Sequence, residues 1–147
     1  MNPYFDRPER IDVLRRAATS WIGTPFAPNS SAKGFGVSCQ RLAAEIYREA
    51  GLVFPDPPDV PMAHARFTTH SLVVSWMGAK MPHWWLSTDP QVGDLLGFRI
   101  GGCVHHLGVL VAPGVFVQAL ERVGVIESLL ADATWEGRLS AIWRPME

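Results

Sequence analysis

The apolar pattern of the chain changes period near Asp94. Before it, "DRPERIDVLRRAATSWIG" places Ile11, Leu14, Ala18 and Trp21 at helical spacing, and "CQRLAAEIYREAG" does the same with Leu42, Ala43, Ile46, Tyr47 and Ala50. After it come "DLLGFRI", "HLGVLVA", "VFVQALE", "GVIESL" and "SAIWRP", short runs rich in β-formers and separated by turn signals such as "APG" and "RVG". Helices first and strands second restrict the fold to α+β, with helices against an antiparallel sheet.

Local signals set the expected boundaries. Asp6 and Glu9 are spaced as a capping box, and Pro8 stands in the first turn, where its missing N–H costs nothing. Gly23 and Pro25 end that helix. "GTPFAPNSSAKGFGVS" reads as a loop, and Gly51 as the stop of the second helix. "FPDPPDVP" is an extended connector. "MAHARFTTHSLVVSWMGAK" (62–80) reads as a third helix despite its β-branched Thr68, Thr69, Val73 and Val74. "PHWWLSTDPQVGD" reads as turns around an aromatic pair, Trp84 and Trp85.

With 147 residues, the chain is expected to form a single domain, 1–147, able to bury its own core. A net charge of -1 gives no basis for nucleic-acid binding. No apolar run approaches the roughly 20 residues that span a bilayer, so no membrane partner is expected. The opening "MNPYFDRPER" lacks the apolar stretch of a secretion signal, so the chain is expected to be cytoplasmic as synthesised. Two cysteines, Cys39 and Cys103, allow one disulfide at most and no framework.

Chemistry concentrates at Cys39, which follows a small-residue loop and opens an amphipathic helix. A helix start offers unpaired N–H groups and partial positive charge, which favour a thiolate and can hold an oxyanion. The competing reading is a buried core thiol. A nucleophile needs a base and the base an orienter. His64 and His70 fall on the third helix and His83 in the aromatic turn, whereas His105 and His106 open a strand. Period-2 alternation sends those two to opposite faces, so only one should reach the thiol. Gln118, alone among apolar residues in "VFVQALE", requires a hydrogen-bond partner, and an imidazole N–H is one such partner; the alternative is a polar residue that faces outward. Cys103, His105 and His106 lack a completing pair, so no metal site is expected, and no cofactor motif is present.

Taken in order, the cysteine at a helix start, "QVGDLLGF", "HHLGVLVAPGVFVQA" and "GVIESLL" resemble the NlpC family of cell-wall cysteine peptidases, as does "WIGTPF" ahead of the nucleophile loop. The resemblance runs from about Ile11 to Pro145 and is weakest between Pro55 and Pro90. It implies a papain-like fold with the cysteine helix packed on an antiparallel sheet bearing the histidine. It also implies hydrolysis of amide bonds in peptidoglycan stem peptides of the D-glutamate/diaminopimelate type. Cys39 matches the nucleophile, His106 the general base, and Gln118 the orienter. Phe26, Ser38, Gln40 and His105 fall at substrate-binding positions. Three of these depart from the family's pattern: Ser38 replaces an aspartate, Gln40 a serine, and Phe26 a tyrosine. Losing a carboxylate and a phenol changes how a charged amine can be held. A small chain of this type also resembles peptidases of phage-tail-like particles, which would deliver it to the wall. The alternatives are a non-catalytic module on the same fold, or an amidase or acyltransferase with another substrate.

Overall fold

A computed structural model describes residues 1–61 and 69–147. The expected start of the third helix, with His64, lies outside the described residues, and His70, expected on that helix, precedes it, because Ser71 caps the helix at Leu72.

Helix α1 spans Pro8–Trp21 and buries Leu14, Ala17, Ala18 and Trp21. Its N-cap is Arg7, without a side-chain cap bond, so the capping box of Asp6 and Glu9 does not form. The reason is Pro8. A residue before proline is driven out of the helical region, so the helix starts at the proline itself. Asp6 then lies one position too early to cap.

The stretch expected as a loop contains a two-stranded hairpin, β1 (Ser31–Ala32) and β2 (Gly36–Val37). Helix α2, Cys39–Glu49, buries Leu42, Ala43, Ala44, Ile46 and Tyr47. It ends in a paired-bond stop. Gly51 takes φ +97°, its N–H donates to the Arg48 carbonyl, and the Leu52 N–H donates to Tyr47. Helix α3, Leu72–Lys80, is capped by Ser71, whose Oγ accepts from the Val74 N–H at 3.0 Å and donates to the Val104 carbonyl at 2.6 Å. One hydroxyl thus starts the helix and ties it to the sheet.

The sheet has six strands, β3 (Trp84–Leu86), β4 (Leu95–Ile100), β5 (Cys103–Ala112), β6 (Val115–Leu120), β7 (Gly124–Leu129) and β8 (Leu139–Pro145), in the order β3-β8-β4-β5-β6-β7. Every neighbouring pair is antiparallel. The five segments after Asp94 are the five strands β4 to β8. β3 was expected as a turn; Trp84 makes it a strand by packing edge-on against Tyr47 at 4.7 Å while its backbone pairs with Pro145.

Both faces of the sheet are covered, which explains why the central strands read as continuous apolar runs rather than alternating ones. Leu95, Leu107, Val109, Val117, Ala119 and Val125 pack with α1, α2 and α3. Leu96, Phe98, Leu110, Phe116 and Ile142 form a second cluster around Trp135, carried by the short helix α4 (Ala133–Glu136).

Candidate active site

Cys39 is the first residue of α2, held at the end of the sheet where β5 begins and β6 ends. Three backbone contacts set its position. The Ser38 N–H donates to the Ser30 carbonyl, the Val37 N–H to Pro25, and the Ala27 N–H to Val37. Thr24 is buried and accepts from the Gly34 N–H at 3.0 Å, so the threonine of "GTPF" braces the loop before Cys39. The same segment docks on β7, where the Val125 N–H donates to the Thr24 carbonyl and the Gly23 N–H to Val125.

The Cys39 thiol donates to Gln40 Oε1 at 3.3 Å. Burial pushes its pKa up, against smaller lowering contributions from hydrogen bonds to the backbone at Leu107, Gln40 and Cys39. The expectation of a lowered thiol pKa at the helix start is therefore not met in this resting arrangement, because desolvation of the charged form outweighs the helix N–H groups. The bond to Leu107 places the sulfur against the β5 backbone, one residue from His106. Cys39 and Cys103 are both free thiols.

His106 is buried, with its Nε2 2.7 Å from Gln118 Oε1. Gln118 is fully buried, and its Nε2 donates to Ser128 Oγ at 2.7 Å. The amide is thereby oriented with its oxygen toward the imidazole. An amide oxygen only accepts, so His106 Nε2 carries the hydrogen and Nδ1 is the acceptor of the neutral ring. Trp135 lies nearly parallel to the imidazole, 5.4 Å away at 27°, and Phe98 flanks it at 5.9 Å. Burial lowers the His106 pKa from its ordinary 6.5 to about 4; the Gln118 bond raises it and the neighbouring His105 lowers it.

The two histidines do not separate as simple alternation predicts. Phe98 pairs with His106 but Arg99 pairs with Val104, so His105 is an extra residue in β5. Such a bulge re-aims side chains at a strand end. Both His105 and His106 consequently line one cleft of about 190 Å³ with Cys39. Phe26, Ser38 and Gln40 line it as well. The structure thus gathers six of the seven residues singled out in the sequence around one cavity, with Gln118 behind His106. Gln40 Nε2 reaches Asn29 Oδ1 at 3.5 Å, whereas Ser38 Oγ is buried without a hydrogen bond among the described residues.

Solved structures share this arrangement of elements. The chain aligns over 99% of its length with 44% of a lipoprotein-like protein of the NLP/P60 family from Staphylococcus aureus, with a TM-score of 0.67 and 18% identity. Over 93% of its length it aligns with 40% of an NlpC/P60 family protein from Bacillus cereus, with a TM-score of 0.64 and 19% identity. The chain has the NlpC/P60 fold. It also matches the NlpC/P60 domain of the peptidoglycan hydrolase SagA, covering 92% of its own length and 98% of that chain, with a TM-score of 0.60 and 14% identity. It therefore spans less than half of the first two proteins but nearly the whole of that third NlpC/P60 domain. No protein-family model and no curated protein matches the sequence.

Within this NlpC/P60 frame, three contributors escaped sequence reading. Trp135 sits on one turn of helix capped by Asp132, whose Oδ1 accepts from the Thr134 N–H at 2.8 Å. The cap is legible in "DATWEG", but the stacking partner is not. Ser128 lies in a quoted strand motif yet carries no sign of its bond to Gln118. Glu121 follows β6 and lines the cleft.

Proposed function

We propose that the chain is a cysteine peptidase that hydrolyses amide bonds in peptidoglycan stem peptides, with Cys39 as nucleophile, His106 as general base and Gln118 as orienter. The observation that carries this reading is the His106–Gln118–Ser128 chain, which leaves Nδ1 as the basic nitrogen of the His106 ring, in the cleft that holds the Cys39 thiol. The cell-wall substrate is supported by the NlpC/P60 fold and by its likeness to a domain from a peptidoglycan hydrolase.

The opposed pKa shifts make the resting pair neutral: thiol raised, imidazole lowered. The reaction then starts with proton transfer rather than from a standing ion pair. His106 Nδ1 takes the thiol proton as Sγ bonds to the substrate carbonyl carbon, and the carbonyl π electrons move onto oxygen. Backbone N–H groups at the start of α2, outside the helix's own ladder, supply donors for that oxyanion. When the C–N bond breaks, His106 returns its proton to the departing amine and leaves a thioester on Cys39. Water then attacks the thioester while His106 accepts its proton, and the thiol departs reprotonated. Gln118 keeps Nε2–H in place throughout and adds no charge.

The raised thiol pKa and the S–H bond to Gln40 favour one other reading, a non-catalytic module on the same fold. Incubating the protein with purified stem peptides and measuring new amines decides between the two. Peptidase activity releases amine, and His106→Ala lowers the rate by at least about a hundredfold. No release from any stem peptide, with the protein folded, overturns the proposal.

A further inference from the structure

Glu121 stands apart in the cleft. Among the described residues lining it, Glu121 alone is an acid, and none is a lysine or arginine. It makes no ion pair with any described residue. It follows Leu120 at the end of β6, in the turn closed by the Val123 N–H donating to the Leu120 carbonyl. Arg122 beside it adopts φ +66°, a left-handed conformation that a branch-free glycine would take more easily. The turn thus holds a non-glycine residue at some cost immediately after the carboxylate.

Much of the rest of the wall is apolar, with the imidazoles of His105 and His106 between. Phe26, Val60, Ile100 and Trp135 present apolar surface, while Glu121 itself is exposed at the rim, where it attracts a cation that approaches the cleft. Ser38 Oγ, in a residue 3% exposed, lacks a hydrogen bond among the described residues and lies at the same cavity. A buried hydroxyl without a partner points to a ligand group that supplies one. An unpaired carboxylate on the rim and an unsatisfied hydroxyl in the wall together suit a ligand bearing a protonated amine.

We propose that Glu121 is a specificity-determining residue that draws a protonated amine of the substrate into the cleft, while the Ser38 hydroxyl accepts a hydrogen bond from the bound ligand. The carboxylate thus comes from the end of β6 rather than from the residue before the nucleophile, where this chain has serine. This inference deepens the peptidase reading and rests on it for the identity of the substrate. The charge preference itself is a property of the cleft and is measurable without turnover.

The test alkylates Cys39 with three reagents of graded charge, 2-bromoethylamine, iodoacetamide and iodoacetate, and follows the peptides carrying Cys39 and Cys103 by mass spectrometry. Each rate is divided by the iodoacetamide rate, which cancels any change in intrinsic thiol reactivity. Measured relative to the same reagents on a small free thiol, the unaltered protein favours the cationic reagent over the anionic one at Cys39. Glu121→Gln lowers the cation-to-anion ratio by about 3–10-fold, and Glu121→Lys inverts the preference. A ratio that is the same in all three proteins overturns the assignment of Glu121. Failure of every reagent to reach Cys39, even well above the ordinary thiol pKa, shows a closed cleft and overturns both readings. A second measurement compares a stem peptide with a free amine against its N-acetylated form. Glu121→Gln raises KM for the free amine and leaves KM for the acetylated peptide where it was. If no peptide is cleaved but the alkylation ratio shifts as expected, the peptidase reading fails and the charge selectivity of Glu121 stands.

Discussion

At the scale of single residues, the reading depends on how the buried imidazole is held. Gln118 is fully enclosed and bonded at both ends of its amide. Gln118→Leu leaves His106 Nε2–H without an acceptor, an unpaired buried donor worth about 1–3 kcal/mol. The expected result is a fall in kcat/KM of about 10–100-fold with KM little changed, measured by steady-state kinetics on a cleaved peptide. Gln118→His, which can accept the same N–H through a ring nitrogen, should restore most of the rate. The low His106 pKa has a second consequence. With a native value of about 4 and an ordinary value of 6.5, the unfolded chain binds more protons than the native one between those limits. Stability contributed by the neutral ring is therefore present above about pH 6.5 and lost as pH falls toward 4, by about 3 kcal/mol at most. Denaturant melts across this window, compared with His106→Gln, check the sign: the variant should show a shallower acid dependence. NMR titration of the ring should find it neutral at pH 7.

At the scale of elements, the site depends on three connections that hold the ends of strands and helices in place. The "GTPF" segment is docked on β7 at Gly124, which has φ +95°, and a Cβ added there would lie 2.6 Å from the Thr24 carbonyl oxygen. Both the backbone conformation and the space require glycine. Gly124→Ala should cost about 2–4 kcal/mol, measured by chemical denaturation, and should displace Phe26 from the cleft wall. Helix α4 exists to carry Trp135. Trp135→Ala removes the ring stacked on His106 and opens the cluster with Phe98 and Phe116, so a loss of about 3–5 kcal/mol is expected. Trp135→Phe should keep the fold, and a fall in kcat without a matching change in KM would mark the ring as a positioning element for the imidazole. The bulge at His105 is the third connection; it bends the start of β5 so that neighbouring side chains share one cavity.

At the scale of the whole molecule, the sheet is locked by an ion pair whose carboxylate is buried and whose guanidinium is partly exposed, between residues that do not line the cleft. Asp94, 1% exposed, accepts from Arg144 Nε at 2.9 Å and Nη2 at 2.8 Å and from the Gln91 N–H at 2.7 Å. The pair joins the turn before β4 to the end of β8. Asp94→Ala removes the carboxylate but leaves Arg144 partly exposed and still bonded to the Asp89 carbonyl, and should lower stability by about 1–3 kcal/mol, read as a lower Tm, while any activity remaining below that Tm keeps its normal KM. The sequence by itself determined the helical and β periods, the five strands after Asp94, the stripe of α2 with its Gly51 stop, and the residue types of a thiol, an imidazole and an amide. Those signals are local, because periodicity and turn chemistry depend on neighbours a few residues apart. What needed long-range packing was not legible. Proline geometry overrode a capping pattern at Asp6, Trp84 made a strand out of an expected turn, and a bulge put both histidines at one cavity. Trp135 and Ser128 met the imidazole relay from residues 29 and 22 positions away in the chain, His106 to Trp135 and His106 to Ser128. The protonation of the thiol was likewise a tertiary decision: a helix start favours the thiolate, but burial against β5 costs the charged form more, and only the packed structure fixes that balance.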